Sequence, residues 1–311
     1  MTAVDASPIN LPKLSIIIPV HNEEAIIGDV LDELSALYPD AEIVVVNDGS
    51  TDDSVKVIAA RPQVRLIDLP YNMGNGAAIK NGIWAASGDV LVMMDGDGQH
   101  KPIDVARLVK HIDRYDMVVG ARTPASETQW HRDVANWVFN RLATYIVNRR
   151  VMDLTSGFRV IRATLARRFA YLLPNGYSYP TTLTITMFRA GHTVRYEPIV
   201  VKQRVGKSGI KLLRDGIRFL LILLRMGTLF APIKVFMPVA ALLFTVGSAY
   251  GAYLLIFQSR FSNMAILLIL SGILLLMLGL LSEQIAMLRM SHVGSIHEER
   301  KISANDSPPE A

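Results

Sequence analysis

The segment Asp89–Pro102, DVLVMMDGDGQHKP, runs from an apolar stretch into two carboxylates, Asp95 and Asp97, separated by Gly96 alone and followed by Gly98, Gln99 and His100. Two neighbouring anions repel each other unless a cation compensates them. The flanking glycines let both side chains turn to one ligand instead of alternating as in a strand. Oxygen ligands of this kind suit a hard divalent cation such as Mg²⁺, which commonly takes one or two carboxylates and leaves other positions to substrate phosphates. The pattern points to a metal that bridges the protein to a diphosphate.

The elements around this segment explain how it would be positioned. Leu14–Val20, Glu42–Asn47, Val64–Leu69, Val90–Asp95 and Met117–Gly120 are short runs rich in Ile, Val, Leu and Met, while Glu23–Tyr38, Asp52–Ala60, Ala77–Ala86 and Ile103–Tyr115 have helical spacing. Strand and helix in alternation predict an α/β fold, a mainly parallel sheet with helices on both faces. Asn22 is expected to cap the first helix, Ser50 and Asp53 to form a capping box, and Pro102 to open a helical turn. In open sheets ligands bind beyond the carboxyl ends of the strands. The polar segments HNEE, NDGSTD, YNMGNG and DGDGQH fall there in succession. A helix over Glu127–Asn148, the segment DLTSGFR, helices near Ala163–Leu172 and Thr181–Ala190 and a strand near Thr193–Val201 complete this part.

The C-terminal third has a different composition. Val235–Phe257 and Met264–Ser282 contain no Asp, Glu, Lys or Arg, and each approaches or exceeds the roughly 20 apolar residues that a membrane span requires. Only Gln258–Asn263 separates them, so they are expected to form an antiparallel hairpin. Lys202, Arg204, Lys207, Lys211, Arg214, Arg218, Arg225 and Lys234 precede the first span, and Arg289, Arg300 and Lys301 follow the second. By the positive-inside rule, the bulk of the protein and both termini are cytoplasmic, at the inner membrane. KLLRDGIRFLLILLR, residues 211–225, places its charges along one helical face and reads as an interfacial helix.

The expected organisation is a tail over residues 1–12, an α/β domain over 13–210, the interfacial helix over 211–230, spans over 235–257 and 264–286, and a tail over 291–311. The N-terminus has no signal-peptide pattern. The absence of cysteine excludes disulfides, thiol nucleophiles and Cys-based zinc sites. The membrane-flanking basic residues account for the net charge of +4, so no nucleic-acid partner is expected. VVNDGS is close to a phosphatase DxDGS signature, but Val46 stands where the nucleophilic aspartate would be.

The motifs PVHNEE, VVNDGSTDDS, NMGNGAAIKNGI, MDGDGQH, DLTSGFRV and RVGKSGIK follow one another over roughly residues 14–211. In this order they resemble the family-2 glycosyltransferases with the Rossmann-like GT-A fold, more closely the dolichol-phosphate mannose synthases and bacterial polyprenyl-phosphate glycosyltransferases. The resemblance implies a nucleotide-sugar donor, UDP- or GDP-linked, a divalent cofactor, Mg²⁺ or Mn²⁺, and a polyprenyl-phosphate acceptor, undecaprenyl or dolichyl phosphate, whose phosphate oxygen attacks the anomeric carbon of the sugar with inversion while the nucleoside diphosphate leaves. It implies that Pro19, His21 and Glu23 hold base and ribose, that Asp48 faces the nucleoside, and that Asp95 lies near ribose and diphosphate. Asp97 and Gln99 would ligate the metal, while Arg122, Arg204 and Lys207 would neutralise phosphates. Asp153, with Ser156 and Arg159 nearby, would act as a base or position the acceptor.

His21 stands where relatives often carry an aromatic residue, and Asn75 where they often carry a lysine, so the glycines of NMGNG are expected to serve a tight turn rather than a phosphate. A lipid phosphate, with a second pKa of about 6, is mostly a dianion at neutral pH and needs no general base. Arg204, Lys207 and Lys211 precede the interfacial helix, where such a head group could meet them. Two other readings stay open at this point: transfer to a hydroxyl of a glycolipid or polysaccharide, which would require Asp153 as a base, and a membrane-anchored binding subunit without catalysis. The small residues Gly247, Ser248, Gly251, Gly272 and Gly279 permit close helix packing, which leaves a homo-oligomer through the hairpin open.

Overall fold

A computed structural model describes residues 13–123, 130–176, 178–201, 221, 224–225 and 227–305. These fall into two compact units, one drawn from Met1–Asn136, Met152–Met187 and Gly191–Gly209, the other from Trp137–Val151, Phe188–Ala190 and Ile210–Ala311.

The first unit is built on β1 (Leu14–Val20), β2 (Glu42–Asn47), β3 (Val64–Asp68), β4 (Val90–Met93), β5 (Met117–Arg122), β6 (Arg159–Arg162) and β7 (Val194–Ile199). They form a seven-stranded sheet in the order β3-β2-β1-β4-β6-β5-β7. Every observed pairing is parallel except those of β6, which runs antiparallel between β4 and β5. The mixed, mainly parallel sheet agrees with the sequence expectation. β6 was not anticipated: its four residues, RVIR, are too short and too charged to stand out as a strand, and they extend the DLTSGF segment.

The helices are α1 (Ile27–Leu37), α2 (Ser54–Ala59), α3 (Asn75–Ala85), α4 (Asp104–Val109), α5 (Trp130–Val147), α6 (Ala163–Phe169) and α7 (Tyr179–Arg189). Alternation along the buried strands divides the core. Ile16, Ile18 and Val20 of β1 join Leu31 and Leu34 of α1 and Val105 and Leu108 of α4, whereas Ile17 points to the opposite face, against Gly82 of α3.

α1 starts later than expected, and Asn22 does not cap it. Asn22 sits at φ +57°, its side-chain oxygen accepts from the Thr51 amide at 2.8 Å, and the Glu23 and Glu24 amides donate to Ser54 Oγ and Asp52 Oδ2. The loops after β1 and β2 thus satisfy each other. Nor does Ser50 cap α2: its hydroxyl donates to Asn47 Oδ1, and no side chain caps that helix.

The second unit contains the C-terminal half of α5 and two long helices, α8 (Pro232–Gln258) and α9 (Asn263–Asn305). Pro232–Gln258 and Asn263–Leu288 are long and apolar enough to cross a membrane. Within this hairpin Gly247 faces Leu268 and Ile269, Gly251 faces Ala265, Gly272 faces the Ala240 carbonyl and Phe244, and Gly279 faces Phe236. These glycines serve α8 and α9 of one chain, so they give no support to the homo-oligomer considered from sequence. Most of the interfacial segment 211–230, including Lys211, lies outside the described residues, as do Arg204 and Lys207.

At Gly82 an added Cβ would run into Ile17 Cγ2, with Val46 Cγ2 at 3.4 Å. The Gly82→Ala variant is expected to lose roughly 1–3 kcal/mol through overpacking between α3 and the sheet. The check is a lower thermal unfolding midpoint of the full chain in detergent, beside a control substitution, Glu33→Ala, at an exposed position of α1.

Candidate active site

Six chain segments reach one edge of the sheet. The segments after β1, β2, β3 and β4 arrive there because those strands are parallel, and Arg122 ends β5 at the same edge. The antiparallel run of β6 brings the segment that precedes it, Asp153–Phe158, to this edge as well: Met93 pairs with Arg159, so Gly157 and Phe158 lie beside the chain leaving β4.

Pro19 is buried in β1. Val20 faces β2, since its carbonyl accepts from Asp48 N, so by alternation Pro19 faces β4 and offers it no N–H. The β1–β4 pairing ends at Ile17↔Met93, which frees the chain to turn outward at Asp95. His21 is exposed, and its Nδ1–H donates to the Asp48 carbonyl at 2.8 Å. Glu23 is half-buried, its backbone carbonyl accepting from the Ile26 and Ile27 amides.

Asp48 is nearly fully buried, and its two oxygens accept from the amides of Met73, at 2.6 Å, and Gly74, at 2.9 Å. It braces the YNMGNG loop, a role that differs from the expected contact with a nucleoside. That loop is closed from outside as well. The Ala77 amide donates to the Asn175 carbonyl, a Cβ on Gly74 would come 2.5 Å from the same oxygen, and one on Gly76 would meet the Pro174 carbonyl. The glycines therefore admit a neighbouring chain, 174–176, which agrees with a turn and packing role rather than a phosphate cradle.

Asp95 is half-buried among side chains that hold its carboxylate. Asn75 Nδ2 approaches Oδ1 at 3.4 Å and His100 Nε2 lies 3.7 Å from Oδ2, while the buried His100 ring packs on Phe158 at 5.1 Å between centroids. Burial alone raises the Asp95 pKa, but the His100 hydrogen bond and charge, with Asn75 and Arg122, outweigh it and hold the carboxyl below its usual range. Gly157 has no side chain for a reason: a Cβ there would strike Asp95 Oδ2. Asp97 follows with Oδ1 accepting from the Gln99 amide at 3.2 Å, across a turn in which Gly98 has φ +70°.

The Asp95–Gln99 turn fits a hard cation by the chemistry of its donors. Two carboxylates and an amide oxygen come from one tight turn, and the Asn75 amide that touches Asp95 has a buried Oδ1 with no partner. No group of three acidic, His or Cys side chains is assembled among the described residues, so a cation here would draw its remaining ligands from water or a diphosphate.

Asp153 is 5 % exposed and heavily committed. It accepts from Arg122 Nε and Nη2, both at 2.8 Å, and from the amides of Arg122, Thr155 and Ser156 at 3.1–3.2 Å; Arg122 Nη2 also donates to Thr155 Oγ1. Burial raises the Asp153 pKa, and the Arg122 bonds and charge more than reverse this, so the carboxyl lies below its ordinary value. Arg159 is fully buried and donates to the carbonyls of Ser156 and Leu154 and to Thr184 Oγ1. It supports the turn from beneath and is closed off from solvent, unlike the exposed acceptor-binding residue the sequence led us to expect. Ser156 is also buried, its hydroxyl without a partner.

Sequence reading missed Asn75 as a neighbour of Asp95, His100 as its support, Asn175 as the cover of the α3 end and Gly157 as the residue that leaves space for a carboxylate. Of these, Asn75, His100 and Gly157 sit inside quoted motifs, whereas Asn175 is about one hundred residues from its partner loop and carried no signal.

Two outcomes are expected. Gly157→Ala displaces Asp95 while leaving the sheet folded, so it abolishes binding of Mn²⁺ with nucleoside diphosphate, read by calorimetry, with an unchanged circular dichroism spectrum. Asp153→Asn leaves Arg122 without its anion and costs about 3–5 kcal/mol. Because the folded pKa of Asp153 is depressed, this contribution is complete above about pH 3.9, the ordinary aspartate value, and vanishes as pH falls through the folded one. Unfolding midpoints of the two proteins should therefore converge in acid.

Comparison with known proteins agrees with this architecture. Residues 15–170, half the chain, match the model of glycosyl transferase family 2, and residues 231–288 match the GtrB C-terminal hairpin. A dodecaprenyl-phosphate galacturonate synthase of Rhizobium johnstonii is 30 % identical over 52 % of this chain and 51 % of its own length. An undecaprenyl-phosphate mannosyltransferase of Micrococcus luteus is 29 % identical over 62 % of this chain and 85 % of its own. The chain thus spans about half the length of the Rhizobium relative. Among solved structures, glucosyl-3-phosphoglycerate synthase of Mycobacterium tuberculosis, crystallised with Mn²⁺ and UDP-glucose, shares the fold with a TM-score of 0.58 at 23 % identity, over 69 % of this chain and 79 % of that one. With the carboxylate turn at the sheet edge and the matching hairpin, the chain belongs to glycosyl transferase family 2.

Proposed function

We propose that the protein is a membrane-bound inverting glycosyltransferase that moves one sugar from a UDP- or GDP-sugar to a polyprenyl phosphate at the cytoplasmic face. The state of Asp153 carries the choice of acceptor. A hydroxyl acceptor would need a base, and a carboxylate that takes six hydrogen bonds and has a depressed pKa is a poor one. A phosphate monoester arrives largely ionised, and for it a rigid, charge-neutral Arg122–Asp153 pair is sufficient. The relatives named for dodecaprenyl- and undecaprenyl-phosphate support the same acceptor.

Asp97 and Gln99, with Asp95 beside them, would hold Mg²⁺ or Mn²⁺. Such a cation, when bound, supplies positive charge to the departing nucleoside diphosphate. His21 offers an exposed imidazole to the nucleoside at the end of β1, with Pro19 and Glu23 shaping that end. Asp48 fixes the loop that flanks it. Asp95 meets the ribose and diphosphate from a position set by Asn75, His100 and Gly157. The Arg122–Asp153 pair, its charges mutually compensated, fixes the turn on the acceptor side together with Ser156, so the phosphate charge expected to meet Arg122 falls to the other basic residues. Arg204, Lys207 and Lys211 keep their expected role toward the lipid phosphate.

In this reading α8 and α9 span the inner membrane and keep both termini cytoplasmic. Purified protein, Mn²⁺ and polyprenyl phosphate are expected to convert one labelled nucleotide sugar into an acid-labile, organic-extractable lipid. EDTA should stop the reaction, and Asp97→Ala should lower its rate by about 10²-fold or more. Donor binding without lipid product, followed by transfer to a hydroxyl acceptor, would refute the phosphate acceptor.

A further inference from the structure

The C-terminal half of α5 shows an inverted pattern for a helix of a soluble domain. Ala143, Ile146 and Val147 are buried on one arc, while the opposite arc exposes Trp137 at 65 %, Val138 at 45 %, Arg141, and Tyr145 at 47 %. Trp137, Arg141 and Tyr145 are spaced four apart and so share a face. Asn148, at φ +54°, ends the helix, and the exposed Arg149 and Arg150 follow.

This half-helix is tied to the first turn of α8 within the same compact unit. Lys234 Nζ donates to the carbonyls of Tyr145, at 2.5 Å, and Ile146, at 3.0 Å, and to Asn148 Oδ1 at 2.7 Å. It thus satisfies carbonyls that the end of a helix leaves without partners. Its ammonium also lies 5.3 Å from the Tyr145 ring centroid, and the Tyr145 hydroxyl donates back to the Lys234 carbonyl. Beside this tie, Glu283 of α9 accepts from the Ile233 amide and pairs with Arg189. The last polar groups before the apolar hairpin are therefore clustered at the level of α5.

We propose that the Trp137–Tyr145 face of α5 lies on the lipid headgroup region and binds anionic lipid. The inference rests on the reading that α8 and α9 span the membrane. Lys234 then fixes the end of α5 at the depth where α8 leaves the bilayer. Trp and Tyr favour that depth, where ring and polar tip each find their preferred surroundings. Arg141, Arg149 and Arg150 supply the charge that attracts acidic headgroups.

The test uses the full chain in nanodiscs and its tryptophan fluorescence. Trp84→Phe with Trp130→Phe leaves Trp137 as reporter. Trp130→Phe with Trp137→Phe leaves Trp84, which is 56 % exposed on α3 of the other unit. Phe244→Trp, in a background with all three tryptophans replaced, reports on the middle of α8. Lipids brominated near the glycerol are expected to quench Trp137 about twofold or more over Trp84, while lipids brominated near the chain end quench the α8 reporter. Exchanging part of the phosphatidylcholine for phosphatidylglycerol should increase Trp137 quenching, and Arg141→Gln with Arg149→Gln should remove that increase. If Trp137 resembles Trp84 while the α8 reporter is quenched, the α5 face is covered by protein or water and the proposal fails with the hairpin reading intact. If the α8 reporter is not quenched, both readings fall. Quenching that ignores phosphatidylglycerol overturns the anionic-lipid part.

Discussion

The bidentate ion pair between Arg122 and Asp153 joins the end of β5 to the turn that feeds β6. Asp153 collects the Arg122, Thr155 and Ser156 amides around one carboxylate, so the turn has little freedom to move. Arg159 then fills the space below it, and Gly157 emerges close against Asp95. Without the pair, a buried anion and a half-buried guanidinium would lie uncompensated beside the carboxylate turn. The position of Asp95, and hence of any cation beside it, depends on that compensation.

Much of this edge could be read from the residues. The βαβα alternation, the strand limits of β1 and β2 and the arrival of four polar segments at one edge follow from short aliphatic runs and their punctuation. The apolar composition of Pro232–Gln258 and Asn263–Leu288 likewise announces the hairpin. What failed to show depends on distance in sequence. β6 is only four residues long, and it becomes a strand because β4 and β5 both offer it hydrogen bonds. Arg159 looks like a phosphate ligand in one dimension and is a buried brace in three. Asn22 has the chemistry of a cap, but the β2–α2 loop captures its side chain first.

The hairpin illustrates how the same residue types answer different needs. Gly247, Gly251, Gly272 and Gly279 bring α8 and α9 into contact within one chain, which uses the small surfaces that could otherwise have joined two copies. Lys234, one of the basic residues expected only to bias orientation, instead ends α5 by taking its carbonyls.

The cover that Pro174–Gly176 places over the start of α3 has a consequence for charge. The amides of Met73 and Gly74 already belong to Asp48, and that of Ala77 to the Asn175 carbonyl. A diphosphate at this edge would therefore find three of the amides around the start of α3 already taken by oxygen atoms of the protein itself. More of its compensation would then fall to basic side chains and exchangeable ions than to fixed backbone dipoles. Occupancy by donor would follow the free divalent cation concentration of the compartment, making the protein responsive to its ionic surroundings as well as to its substrate.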